Sequence, residues 1–244
     1  MYPRKSERVR SFIRKITGCS SLEDLSAEER RSMWPGAKTL ADEHICNCRL
    51  LENRYKMLEQ MPKNGVCAEI GIMHCTFSEK ILEVTQPKKL YLVDLDPDAI
   101  ALAREKFAAE IESGQVEVYL GNSPEIIRSW EDNSLDWIYI DGDHSYGGAK
   151  RDLEASREKM KPEGLIALND YIYFSTSDFG KYGVVEAVNE FCVQHGYELV
   201  YMALQERMYN DVVLRKIEVV QQNPSDRQIP ANGAQQKSIS LRAV

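Results

Sequence analysis

Residues 135–148 read "LDWIYIDGDHSYGG". An apolar run through Trp137, Ile138, Tyr139 and Ile140 stops at Asp141-Gly142-Asp143-His144. Near-continuous apolarity over so short a run marks a strand buried on both faces. The "GAKRDLEASREKM" that follows has helical character. Strand, acidic turn and helix together make one unit of a parallel α/β sheet.

The same unit recurs on either side. Strand patterns "GVCAEIG", "KLYLVDL", "QVEVYL", "GLIALND", "YELVYMAL" and "DVVLRKI" join "LDWIYID" between residues 63 and 217. Helical patterns such as "SEKILEVT", "DPDAIALAREKFAAEI", "SPEIIRSW" and "VVEAVNEFCVQH" alternate with them. The sequence therefore predicts an α/β fold, a seven-stranded and mostly parallel sheet with helices on both faces. Only "QERMYN" separates the last two strands, which predicts a hairpin and an antiparallel edge.

Residues 1–62 read as an N-terminal helical extension. "SAEERRSMW" from Ser26 opens with a cap and acids. From Lys38 onward, Leu40, His44, Cys48, Leu51, Tyr55 and Leu58 recur at helical spacing. Residues 218–244 are polar and hold no aromatics, which predicts a disordered tail.

Of the 244 residues, 43% are apolar, enough for a sizeable core. A net charge of −7 argues against nucleic acid as a partner, since phosphate binding needs a basic face. Residues 1–15 are the local exception, with six Lys/Arg against one Glu, and read as a solvated or self-docking helix. No secretory h-region and no membrane-spanning apolar run is present, so a cytoplasmic protein without membrane contact is expected. The six cysteines lack a disulfide framework spacing, which suits reduced thiols. "HICNC" (residues 44–48) has no second half to complete a zinc site.

In open α/β sheets ligands bind outside the carboxyl ends of the strands. The first strand ends at Glu69 and Gly71, a glycine turn leading into a helix; neither the GxGxxG fingerprint nor the GxxxxGK[ST] phosphate loop is present. The second ends at Asp94, while Asp96-Pro97 reads as a helix cap and first helical residue. Asp94 is left without a capping role, 23 residues after Gly71, where nucleoside-binding folds hold ribose hydroxyls. The third ends in "GNSPEII", where Ser123 is a plausible cap. Asp141 lies at the fourth tip and Asn169-Asp170 at the fifth, on strands expected to be neighbours. Three converging oxygen side chains suit a hard divalent cation such as Mg²⁺.

The order "EIG…VDLD…GNS…IDGDHSY…KPEGLIALNDY" resembles the class I S-adenosylmethionine-dependent methyltransferases, which have a Rossmann-like fold. Within them it is similar to the metal-dependent O-methyltransferases (methyltransferase domain 24-like) that include antibiotic sugar methyltransferases and, more distantly, catechol O-methyltransferase. The resemblance covers residues 63–217. It implies that Glu69 and Gly71 face the methionine part of S-adenosyl-L-methionine, Asp94 its ribose and Ser123 its adenine edge, with Asp141 shared between cofactor and metal. It implies Asp141, Asn169 and Asp170 as ligands of Mg²⁺, and Asp143 or His144 as the general base. His144 is favoured by its intrinsic pKa. One departure stands out: Cys75 occupies the position of the family's usual second glycine, where a side chain is expected to crowd the methionine carboxylate.

The expected activity is methyl transfer to a hydroxyl of a small molecule, a sugar or secondary metabolite. Tyr171, Tyr173, Phe174, Phe179 and Tyr182 form an aromatic loop after Asp170. They either stack on the acceptor or pack on the N-terminal segment, which itself either covers the site or builds a homo-oligomer contact. Two other readings stay open: a non-catalytic S-adenosylmethionine-binding or interaction protein, and an NAD(P)-dependent oxidoreductase.

Overall fold

The computed structural model describes residues 26–28 and 36–218. The basic segment and the polar tail lie outside them, as do all but the first residues of "SAEERRSMW". The main sheet has eight strands in the order β1-β9-β10-β6-β5-β2-β3-β4. These are β1 (Arg49–Leu51), β2 (Val66–Ile70), β3 (Lys89–Asp94), β4 (Val116–Leu120), β5 (Leu135–Ile140), β6 (Met160–Leu168), β9 (Tyr197–Ala203) and β10 (Asp211–Lys216). A separate two-stranded ribbon, β7 (Phe174–Ser175) with β8 (Gly180–Lys181), lies in the aromatic loop. The helices are α1 (Arg54–Gln60), α2 (Thr76–Thr85), α3 (Pro97–Lys106), α4 (Ala108–Glu112), α5 (Ser123–Ser129), α6 (Tyr146–Arg157) and α7 (Val184–His195).

All seven expected strands form, and β10 runs antiparallel to both β9 and β6. The hairpin is not the edge, however. Residues 49–51, expected to be helical, instead pair in parallel with β9. From Lys38 the chain makes a 3₁₀ turn at Asp42–His44, then β1, and becomes helical only at Arg54. Two local facts override the apparent helical period. The open edge of β9 offers ladder hydrogen bonds, and Asn53 caps α1 by accepting from Tyr55 and Lys56 N–H.

Side chains alternate across the sheet as the pleat requires. Trp137, Tyr139 and Cys67 pack with α1, α2 and α3 through Met57, Leu58, Ile81 and Ile100. Ile138, Ile140 and Ile70 pack with α5, α6 and α7 through Ile127, Leu153 and Phe191. Strands buried on both faces leave the strand ends as the place for polar chemistry. From β2 the chain runs outward to β3 and β4, then returns to β5 on the other side. That reversal between β2 and β5 is the crevice where the site lies.

Candidate active site

Gly71 follows β2 with φ +82°, and a Cβ there would sit 2.2 Å from the Asp141 carbonyl oxygen. Its N–H donates to Val93 O at 2.8 Å, and Asp141 N–H donates to Ile70 O at 2.7 Å. The tips of β3, β2 and β5 are thereby locked at a spacing that admits only glycine.

Asp94 has a structural task that its position in the sequence did not reveal. Its Oδ2 accepts from Ile72 and Met73 N–H at 2.8 and 3.1 Å, and its Oδ1 from Asp96 N–H at 2.9 Å. It therefore closes the loop after β2. A carboxylate offers about four lone-pair sites, so it retains capacity for a hydroxyl. Asp96 caps α3 as expected. Ser123 is the first residue of α5 rather than its cap, which is Asn122, and its hydroxyl donates to Asp152 at 2.8 Å.

A cavity of about 630 Å³ lies over this crevice, lined by Gly71, Asp94, Ser123, Asp141, Asp143 and His144 among others. That is within the usual range for a small-molecule site. Cys75 does not line it. With φ +60°, its side chain turns down into the core and is 0% exposed. The expectation that Cys75 crowds the cavity is corrected: the left-handed backbone points the thiol inward. Asp152, absent from the expected set, does line the cavity, and burial pushes its carboxyl up to about 6.

The fourth and fifth tips meet because β5 and β6 are neighbours, with Ile140 beside Leu168. His144 Nε2 lies 3.3 Å from Asp141 Oδ1, 3.3 Å from Asn169 Oδ1 and 3.5 Å from Asp170 Oδ2. Three oxygens thus converge on one point, reached by the imidazole. Burial lowers the His144 pKa, but the Asp141 hydrogen bond and the Asp141 and Asp170 charges raise it more, leaving it above the usual value. Asp170, at φ +55°, is pushed up to about 6, mainly by burial against the pull of His144. Asp143 turns elsewhere: Oδ1 accepts from Ser145 N–H, and Oδ2 lies 3.5 Å from Arg151. Among the described residues, no group of three or more His, Cys, Asp or Glu is arranged to hold a metal. The converging set counts an asparagine carbonyl among its three oxygens.

Behind this cluster lies a group the sequence did not single out. Asp211, 0% exposed, accepts from Tyr139 OH at 2.9 Å, Asn169 Nδ2 at 3.1 Å and Arg54 at 3.3 Å. Burial pushes its carboxyl up to about 7 despite Arg54. The only hint in the sequence was a charge placed directly before the apolar run Val212-Val213-Leu214 of an interior strand. Of the aromatic loop, Tyr182 stacks on His144 with ring centroids 4.6 Å apart and lines the cavity. Tyr171 and Tyr173 go the other way. Tyr171 OH donates to Asn189, whose amide holds Lys38 O, and Tyr173 OH accepts from Ala37 N–H.

Glu69 lies beneath the cavity, 2% exposed, its carboxylate accepting from Ser78 OH. Burial pushes it from 4.5 up to about 8, against the Ser78 bond. The folded chain then holds a proton that the unfolded chain releases, so this contribution to stability is complete below pH 4.5 and lost as the pH climbs toward 8. Glu69→Gln is expected to flatten the fall of stability across that window, by up to about 1.4 kcal/mol per pH unit. Urea unfolding of both proteins at several pH values measures it, and parallel slopes would mean Glu69 is already ionised when folded.

Residues 69–171 match the family model described as "Methyltransferase domain". The match begins at Glu69 and ends one residue past Asp170. Among solved structures, the B. subtilis M1A22 tRNA methyltransferase TrmK superposes with a TM-score of 0.53 at 16% identity, over 69% of this chain and 67% of that one. A SAM-dependent methyltransferase from Aquifex aeolicus gives 0.51 at 14%, over 67% and 88%. M. capricolum TrmK, in complex with S-adenosyl-homocysteine, gives 0.50 at 17%, over 69% and 70%. No curated protein matches the chain. The chain thus has the fold of S-adenosylmethionine-dependent methyltransferases, and its residues 69–171 are similar to a methyltransferase domain.

Proposed function

We propose that this methyltransferase domain transfers the methyl group of S-adenosyl-L-methionine to a hydroxyl of a small molecule, a sugar or secondary metabolite, with Mg²⁺ as an aid. The observation that carries this is the convergence of Asp141, Asn169 and Asp170 oxygens within 3.5 Å of His144 Nε2 beside the cavity. Two carboxylates and an amide carbonyl fit a hard divalent cation, and they would hold it. Bound there, Mg²⁺ would lower the pKa of a coordinated hydroxyl. The cofactor supplies a sulfonium already activated for attack, so the protein's main task is alignment.

The residues divide that task. The glycine turn at Gly71 would let the cofactor approach the backbone, Asp94 has capacity for ribose hydroxyls, and Ser123, hydrogen-bonded to Asp152 on the cavity wall, would meet the adenine edge. His144 is the base that takes the acceptor proton. Tyr182, stacked on it, limits the ring's rotation and shields it from water. The net charge of −7 favours a small hydroxylated acceptor over nucleic acid. Among the described residues, no helix is long and apolar enough to cross a membrane.

Titration calorimetry with S-adenosylhomocysteine, with and without Mg²⁺, tests the proposal. The expected result is cofactor-product binding by the wild-type chain and by Asp141→Ala, with Mg²⁺ uptake in the wild type alone. Cofactor-product binding without any Mg²⁺ uptake would leave a methyltransferase that works without the metal. No binding of either would favour the non-catalytic interaction reading.

A further inference from the structure

An asparagine amide has an accepting end and a donating end. Only the accepting end of Asn169 is useful beside Asp141 and Asp170, and nothing in the amide's own shape selects it. Its other end faces Tyr139 OH at 3.1 Å and Asp211 Oδ1 at 3.1 Å. Asp211 Oδ1 also accepts from Arg54 at 3.3 Å, so it faces Asn169 as an acceptor and the amide must present its donating end. The Tyr139 hydroxyl can play either part, but it gives its proton to Asp211 Oδ2 at 2.9 Å and so offers Asn169 a lone pair. Both neighbours therefore demand a donor, and Asn169 Oδ1 is left facing the site, 3.3 Å from His144 Nε2. Arg54, whose guanidinium lies 3.3 Å from the same Asp211 Oδ1, comes from α1, outside the matched domain.

We propose that Asp211 is a positioning residue that fixes the Asn169 amide with its oxygen toward the metal-binding point, with Arg54 as the second donor that holds the Asp211 carboxyl in place. The inference rests on the metal-dependent reading above. Removing one member of a buried ion pair strands the other. The test therefore uses Arg54→Leu/Asp211→Leu, which removes both charges together, alongside Asp211→Asn, which keeps the volume and one acceptor.

Mn²⁺ is titrated into the full chain and each variant and followed by electron paramagnetic resonance, with S-adenosylhomocysteine binding by calorimetry as the check on the fold. The expected result is Mn²⁺ affinity about 10- to 100-fold weaker in the double variant, the range for loss of a partner behind a metal ligand. Asp211→Asn is expected to fall between it and the wild type, and S-adenosylhomocysteine to bind all three alike. Wild-type Mn²⁺ affinity in either variant that still binds S-adenosylhomocysteine would overturn the proposal, leaving Asp211 as no more than the neutraliser of Arg54. A wild-type chain that binds S-adenosylhomocysteine but no Mn²⁺ would overturn the metal reading, and this inference with it.

Discussion

Gly71→Ala is expected to destabilise the fold by about 2–5 kcal/mol and to abolish measurable S-adenosylhomocysteine binding, because two independent costs fall on one methyl group. The backbone at φ +82° is one that L residues adopt only at a cost of about 1–2 kcal/mol. The added Cβ would also sit 2.2 Å from the Asp141 carbonyl oxygen and 2.7 Å from its carbon. Those are backbone atoms at the tip of a central strand, fixed by the Asp141 N–H to Ile70 O bond, and they cannot swing away as a side chain can. Relief requires β2 and β5 to part at the crevice where the cavity lies. Urea unfolding and calorimetry measure the two effects. An alanine variant with wild-type midpoint and affinity would show that the loop relaxes freely, and would remove the argument that this glycine sets the spacing.

His144→Ala is expected to lower turnover roughly 10²- to 10⁴-fold, the usual contribution of a positioned acid or base, while S-adenosylhomocysteine still binds. The imidazole reaches the convergence point of Asp141, Asn169 and Asp170, and no other titratable nitrogen does so among the described contacts. Asp143→Ala is expected to retain most of the turnover. Its carboxylate is 55% exposed and already engaged with Ser145 N–H and Arg151 rather than with the His144 cluster. Formation of S-adenosylhomocysteine over a panel of sugars and catechols measures both variants. The reverse order of effects would transfer the base to Asp143, and unchanged turnover in His144→Ala would sink the assignment.

Much of this was legible in the sequence because it depends on local pattern. Seven apolar runs with helices between them can hardly avoid a covered, mostly parallel sheet. The acids at the tips of neighbouring strands fall together once the strand order is set. Cys75 shows the limit of position matching. Its place in the sequence announced a crowded cofactor loop, but whether a side chain crowds a site depends on φ, and φ +60° sends this one into the core. The stretch from Lys38 shows the other limit. A helical period in apolar residues fits equally a turn, an edge strand and a short helix, and the vacant edge of β9 decided among them.

The sequence by itself determined seven strands of the sheet, the position of the crevice and the residues at the strand ends: Gly71, Asp94, Ser123, Asp141, His144, Asn169 and Asp170. Tertiary structure alone decided how those groups are held. It supplied the backbone amides that Asp94 accepts, the ring of Tyr182 over His144, and the Arg54–Asp211 pair behind Asn169, whose members stand 157 residues apart. The reason is physical. Burial on one face or two is written as a short-range period, whereas a buried polar group takes its partner from whichever segment packing brings within about 3 Å, and no local pattern records that meeting.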